Sequence, residues 1–356
     1  MDREVLATDG QEAGATVSCL AGRLSRWTTK IESAISRLAS RTVLAQNPAF
    51  FRSLGSSTEP SRSFESLGKT HERSLLMRFF NSLELLVAIL LLVFAASAGA
   101  APAGTRIDFS SLDASHPYKV SGTLYLPAKA ANPSPAVVIV HGTTGIDMRG
   151  AFYREALLNA GIAVFEVDFK TGIYTSALDR PRNETFLPMA FAALKELRKL
   201  PAIDPHRIAI MGFSMGGGIT VRTAIEANRA QWMGEEKGFA AHAAFYPVCK
   251  PILERVEHSS GMTGAPIIIF YGTEDAYGEG KAVPELKSLL RKKFNFDLAT
   301  VEYPGATHGF NRNAPALSYA DPAAKDGRGY MEWNPAAAND SLTKVVEFLR
   351  QNLTAK

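Results

Sequence analysis

The chain has 356 residues, of which 46% are hydrophobic and 21% charged, with 28 glycines and 19 prolines. This is ordinary globular composition and excludes collagen-like, coiled-coil and wholly disordered readings. A net charge of +4, from 39 basic and 35 acidic residues, is too small and too mixed for a nucleic-acid footprint. Two cysteines, Cys19 and Cys249, cannot build a disulfide framework or a four-ligand structural zinc site.

Met1 to Leu76 is rich in serine and arginine and has no sustained apolar period. Residues 1–76 are expected to be disordered or an over-extended reading frame. Arg23, Arg26, Arg37 and Arg41 would suit a targeting extension, whereas Asp2, Glu4, Asp9 and Glu12 would not. Met77-Arg78 then gives a positive start, Leu83 to Ala96 an apolar run, and Ala98-Gly99-Ala100 the A-x-A form of a signal-peptidase site. Together they predict a secretory signal peptide over 77–100, with Met77 as initiator. The run is shorter than the roughly 20 residues of a spanning helix and carries Glu84. Only if left uncleaved would it tie the protein to a membrane. Cleavage near Ala100 leaves 101–356, one α/β domain in size, for the periplasm or the exterior.

From Thr105 onward strand-like and helix-like segments alternate. Lys119–Leu126 reads as a half-buried strand and Ala136–Val140 as a strand covered on both faces. Ile162–Val167, Arg207–Met211, Ala241–Tyr246, Pro266–Tyr271 and Asp297–Tyr303 are further strands. Ala190, Ala193, Leu194 and Leu197 fall at helical spacing, as do Leu342, Val345, Val346 and Leu349 in the last helix. The alternation predicts a mostly parallel, doubly covered sheet. Ala314 to Asn339, rich in Ala, Pro, Asp and Gly, reads as a long surface loop.

Gly212-Phe213-Ser214-Met215-Gly216 lies between the strand Arg207–Met211 and a helical run Gly217–Ala227. This is G-x-S-x-G in its strand–turn–helix setting, where flanking glycines let a tight turn project the serine hydroxyl. The alternative is a Gly-Ser turn without chemistry. A nucleophilic serine needs a base, and the base an orienting acid; with this elbow the chain order is serine, acid, histidine. After Ser214 come His242, inside a strand run; His258, in a polar stretch; and His308, in a turn beyond the last strand. His308 alone is placed to swing over the sheet's carboxyl edge. The run Pro266–Tyr271 ends in Gly272-Thr273-Glu274-Asp275, so Glu274 and Asp275 are candidate acids, with Asp168 in reserve.

The oxyanion needs two backbone donors. One is the N–H of Met215, after the nucleophile. The other is expected from His141-Gly142-Thr143-Thr144-Gly145, with Thr143 as donor and His141 structural; a plain glycine turn is the alternative.

Gly-Phe-Ser-Met-Gly-Gly, Gly-Thr-Glu-Asp and His-Gly-Phe, in this order, resemble the dienelactone hydrolase family of α/β-hydrolases. Ala244-Phe245-Tyr246-Pro247-Val248-Cys249 and Asp204-Pro205-His206-Arg207 are also in the family's style, and the resemblance runs from Lys119 to Leu353. It implies an α/β-hydrolase fold and, through the G-x-x-D pattern, makes Asp275 the acid and Glu274 a solvated neighbour. It also implies that Arg312, four residues past His308, contacts a substrate carboxylate; a solvated loop arginine is the alternative. One departure is that dienelactone-opening enzymes use a cysteine nucleophile, whereas Ser214 stands here. That favours general ester hydrolysis, with Cys249 a small buried hydrophobe.

The sequence therefore predicts an exported serine hydrolase of small-molecule esters or lactones, with no cofactor, metal or nucleic-acid partner. Acyl transfer or peptide hydrolysis could use the same triad. A non-catalytic binding protein on this fold would be expected to lack a triad member. No metal-ligand cluster, P-loop or dinucleotide fingerprint appears in the sequence.

Overall fold

The computed structural model describes residues 104–129, 132–170 and 186–354. The division of the chain falls between Ala98 and Gly99, so all described residues belong to the second unit. The expectations for residues 1–76 and for the signal segment 77–100 lie outside them.

Eight strands form one sheet: β1 (Thr105–Ser110), β2 (Lys119–Tyr125), β3 (Ser134–Val140), β4 (Ala163–Asp168), β5 (Ile203–Phe213), β6 (His242–Phe245), β7 (Ile267–Gly272) and β8 (Ala299–Tyr303). Their order is β1-β2-β4-β3-β5-β6-β7-β8. β1 and β2, and β2 and β4, pair antiparallel; every later pair is parallel. The strand order reverses around β3, whose neighbours are β4 and β5. In open α/β sheets such a reversal leaves a crevice at the strands' carboxyl ends, where loops from either side meet.

Alternate residues of each central strand face opposite layers. Ala136, Val138 and Val140 pack with Ile208, Ile210 and the apolar stripe of α2 (Leu187–Arg198). Val137 and Ile139 pack the other way, against Tyr153 and Leu157 of α1 (Met148–Asn159) and Val345 and Leu349 of α7 (Pro335–Asn352). Both faces are thus covered, as the unbroken apolar runs require. Asp147 caps α1 by accepting the Arg149 N–H at 3.0 Å, and Asn334 caps α7 by accepting the Ala337 N–H at 3.0 Å.

Two sequence expectations need correction. The helical run Gly217–Ala227 is two helices, α3 (Met215–Thr223) and α4 (Glu226–Met233), broken where Ile225 is extended at φ −76°, ψ 125°. The stretch Ala314 to Asn339 is not a continuous loop. It holds an antiparallel hairpin, β9 (Leu317–Ala320) with β10 (Arg328–Met331), and the start of α7. Four-residue strands with mostly exposed side chains have no apolar run to announce them. β1 and α1 also carry no clear periodic signal in the sequence. Two further helices, α5 (Lys250–Glu257) and α6 (Glu279–Phe294), join α3 over β7 around Val221, Ile252, Ile269 and Leu286.

Glu279 opens α6 with no solvent exposure. Its Oε1 accepts the Cys249 N–H at 2.8 Å, and the Cys249 thiol is a further partner of the carboxyl. Burial, reinforced by the nearby Asp275 carboxylate, pushes its carboxyl up to about 7 from 4.5. The native state therefore holds this proton more tightly than the unfolded chain does. The stabilisation is fully present below about pH 4.5 and is lost as pH rises to about 7, a span worth about 3 kcal/mol. Glu279→Gln keeps an acceptor for Cys249 and removes the ionisation. It should melt roughly 5–10 °C higher than the parent at pH 8, with a flatter melting profile between these two pH values. An unchanged profile would assign the titration to another group.

Candidate active site

Ser214 stands between β5 and α3 with φ 53° and ψ −113°, outside the regions open to most side chains. Its N–H donates to the Phe245 carbonyl at 2.9 Å, and its own carbonyl accepts the Gly218 N–H at 2.9 Å. The glycines on either side are required by contact. A Cβ on Gly212 would come within 2.2 Å of the Gly216 carbonyl oxygen, and one on Gly216 within 2.3 Å of that of Val140. The side chain is half-buried at the carboxyl edge of the sheet.

His308 reaches the serine from the turn after β8. Its Nε2 lies 2.8 Å from Ser214 Oγ and its Nδ1 2.8 Å from Asp275 Oδ2. An ionised carboxylate only accepts, so Nδ1 carries the proton and Nε2 accepts from the serine hydroxyl. Asp275 Oδ1 also accepts the Tyr277 N–H at 2.8 Å. Neither the His308 nor the Asp275 side chain is exposed. The imidazole lies between two rings, Tyr246 at 4.7 Å and Tyr277 at 4.5 Å between centroids.

The competing candidates sit elsewhere. Glu274 is exposed, its N–H donating to the Ala306 carbonyl. Asp168 accepts the Lys170 N–H at 2.8 Å and lies 3.8 Å from His141. His242 is fully buried within β6, and burial lowers its pKa to about 4. His258 is exposed at the end of α5, its Nδ1 2.7 Å from the Glu254 carbonyl. Cys249 is buried, and burial raises its thiol pKa well above the ordinary value.

The loop after β3 lies against the elbow, since the missing Cβ of Gly216 would also be 2.6 Å from the His141 carbonyl oxygen. The loop that carries Thr143 thus leaves β3 beside the turn that carries Met215. The Gly142 carbonyl accepts twice, from the Gly145 N–H at 3.1 Å and from His141 Nδ1 at 2.7 Å. His141 Nε2 accepts the Phe169 N–H at 3.1 Å, which fixes the proton on Nδ1. Burial lowers the His141 pKa, so this ring is a neutral tether for the loop. Arg312, half-buried beyond His308, donates from Nη1 to the Pro315 carbonyl at 3.0 Å. Its charge helps Arg149 hold Asp147 below the ordinary carboxylate range against the opposing effect of burial.

Sequence reasoning missed the two tyrosines and the hairpin. Tyr277 donates its hydroxyl to Asp321 at 2.7 Å and lies 3.0 Å from the Tyr319 hydroxyl, both carried by the hairpin region. Met331 of β10 bridges to His308, and the Glu332 N–H donates to Thr307 Oγ1 at 2.9 Å. The hairpin therefore straps the histidine turn. An aromatic residue two positions after the acid was the available signal for Tyr277. Among the described residues, no group of three or more His, Cys, Asp or Glu is arranged to hold a metal.

Comparison with known proteins agrees with this architecture. The chain is 28% identical over 145 residues to esterase FrsA of Photorhabdus laumondii, covering 40% of this chain and 33% of that protein. It is 35% identical over 104 residues to cutinase 2 of Thermobifida cellulosilytica, covering 29% and 38% respectively. The match thus spans little more than a third of either relative. Among solved structures, paraoxon-phosphorylated esterase 2 of Thermogutta terrifontis superposes with a TM-score of 0.50 at 20% identity. That superposition covers 72% of this chain and 97% of the esterase, a likeness of fold. The dienelactone hydrolase family profile matches residues 120–353. On that match, and with an eight-stranded α/β-hydrolase sheet behind it, the chain belongs to the dienelactone hydrolase family.

Proposed function

We propose that this protein is a serine hydrolase of carboxylic esters or lactones that works through an acyl-enzyme. The observation that carries this reading is the unbroken chain Ser214 Oγ–His308–Asp275, with both links at 2.8 Å. Membership of a hydrolase family supports it, as do the partial likenesses to an esterase and a cutinase.

Ser214 Oγ attacks the ester carbonyl carbon while His308 Nε2 takes its proton. The carbonyl electron pair moves to the oxygen, where the Thr143 and Met215 N–H groups receive the charge. Collapse of the adduct expels the alcohol, which takes the proton back from Nε2. Water then repeats the sequence on the acyl-enzyme. Asp275 keeps the productive tautomer and stabilises the imidazolium. None of these steps calls for a cofactor.

Ser214→Ala should abolish turnover and labelling by a fluorophosphonate while leaving the fold intact. Asp275→Asn should lower kcat by roughly three to four orders of magnitude, through loss of the tautomer. Greater damage from Glu274→Gln than from Asp275→Asn would name the wrong carboxylate here.

Arg312 is the proposed reader of substrate charge. A guanidinium can hold a carboxylate through two parallel hydrogen bonds, a charged contact worth about 1.5–3 kcal/mol, or roughly 10- to 150-fold in affinity. Arg312→Met should therefore lower kcat/KM for a carboxylate-bearing ester and spare its neutral analogue. An equal effect on both, or on neither, would remove Arg312 from recognition.

Export is proposed from the segment 77–100. Expressed from Met77 in a Gram-negative host, the protein should reach the periplasm trimmed near Ala100, as read by amino-terminal sequencing. A product that stays in the cytoplasm, or one that reaches the periplasm still beginning at Met77, would overturn the export and the cleavage.

A further inference from the structure

Arg149 is the second residue of α1, yet only 2% of it is exposed. Burying a guanidinium is expensive unless its donors are met, and the penalty reaches several kcal/mol. Two donors meet Asp147: Nε at 2.9 Å from Oδ1 and Nη2 at 2.5 Å from Oδ2. Nη2 also points to Thr144 Oγ1 at 3.4 Å, and the buried guanidinium has the Tyr246 hydroxyl as a further hydrogen-bond partner. The charged group lies over the Phe213 ring, 5.6 Å from its centroid, one residue before the nucleophile.

The triad makes no use of this group. Besides the Tyr246 hydroxyl and Phe213, what the guanidinium touches is the loop after β3. A Cβ on Gly142 would stand 2.9 Å from Nη2 and 3.4 Å from both Nη1 and the Phe213 carbonyl oxygen. The Gly142 backbone therefore rests on the guanidinium, with Thr144 tied to the same nitrogen. Thr143 lies between these two points of support. His141 holds the loop through the Gly142 carbonyl, so Arg149 is a second and independent support. Such support matters because a donor displaced by about 1 Å can forfeit around 100-fold in rate.

We propose that Arg149 is a positioning residue for the oxyanion hole, keeping the Thr143 N–H aimed at the oxygen of the tetrahedral adduct. The proposal rests on the ester-hydrolase reading of Ser214. Sealed in the interior, Arg149 acts through the loop and not by contact with substrate. Its place at the start of α1 couples the loop to the helix: Asp147 both caps α1 and grips the guanidinium.

The test uses the chain as it stands, with Arg149→Met, Arg149→Lys and the milder Asp147→Asn. Three quantities are measured: kcat and KM on a p-nitrophenyl ester, and Ki for a trifluoromethyl ketone. That ketone forms a bond from Ser214 Oγ to its carbonyl carbon, passes the serine proton to His308 and leaves an oxyanion in the hole. Arg149→Met should lose about 10- to 100-fold in kcat with KM within about threefold, and Ki should rise by the factor that kcat falls. Lysine, lacking the planar fork, should recover only a minor part of the loss. Asp147→Asn should show a smaller loss with the same pattern, and it carries the test if Arg149→Met fails to fold. A loss confined to KM, a fall in kcat with Ki unchanged, or full activity in these variants overturns the proposal. A parent protein that hydrolyses no ester and takes no fluorophosphonate at Ser214 defeats the esterase reading itself, before any Arg149 variant is measured.

Discussion

The backbone of Ser214 is held where a serine would not settle by itself, and the rest of the site is arranged around that constraint. A φ of 53° in a non-glycine residue costs of order 1–3 kcal/mol and persists only where its surroundings over-determine it. Here three glycines let α3 approach the ends of three strands at backbone contact. Gly216 lies against the end of β3, Gly212 against Gly216, and Gly217 against the Phe245 carbonyl of β6. With both Ser214 backbone groups hydrogen-bonded, the direction of its Cα–Cβ bond is fixed, and the hydroxyl is held by its 2.8 Å contact with His308. The same approach presses the start of the loop after β3 against the elbow, so Ser214 and the loop proposed to supply an oxyanion donor are placed by one packing event.

The histidine side is fixed by different means. Its turn is strapped by the hairpin, its ring is held between Tyr246 and Tyr277, and the following residues enter a buried polar chain. Tyr246 donates to Asn311 Oδ1, and Asn311 Nδ2 donates to the Tyr153 hydroxyl oxygen at 2.8 Å. Ser341 gives its own proton to the Ala338 carbonyl, so Tyr153 must donate to Ser341. Every hydrogen in this chain has a single assignment, which makes the network rigid. Tyr246 and Val248, at φ 38° and 54°, add strained backbone beside it. Together these contacts freeze the imidazole before substrate arrives, so that ordering is not required at the moment of reaction.

The elbow was legible in the sequence because its cause is local: five consecutive residues and the strand and helix around them. His308 was legible by elimination, since His242 lies within a buried strand and His258 in a polar stretch. Glu274 and Asp275 could not be separated by position, because both follow β7. What separates them is a turn in which Glu274 points to solvent and Asp275 receives the Tyr277 N–H. Arg149 was invisible for a stronger reason. A charged residue in the first turn of a weakly amphipathic helix reads as solvated, and only the packed loop and Phe213 bury it. The hairpin was hidden because its strands are short and mostly exposed, so their significance lies wholly in what they touch.

Two histidines in this site use the same tautomer for opposite purposes. Both His141 and His308 carry the proton on Nδ1 and accept at Nε2. His141 donates to the neutral Gly142 carbonyl, which favours the charged ring, and accepts from a backbone amide, which opposes it. Asp168, 3.8 Å away, also favours the charged ring, but burial outweighs these contacts and keeps the imidazole neutral. His308 donates instead to a carboxylate and accepts from a hydroxyl whose proton is the one to be moved. In the proposed mechanism the positive charge that would form on this ring during attack is met by the Asp275 carboxylate at hydrogen-bond distance, whereas Asp168 comes no nearer to His141 than 3.8 Å. In the proposed reaction one imidazole is therefore a tether and the other a base: a carboxylate accepts directly from the His308 ring, whereas a neutral carbonyl accepts from that of His141.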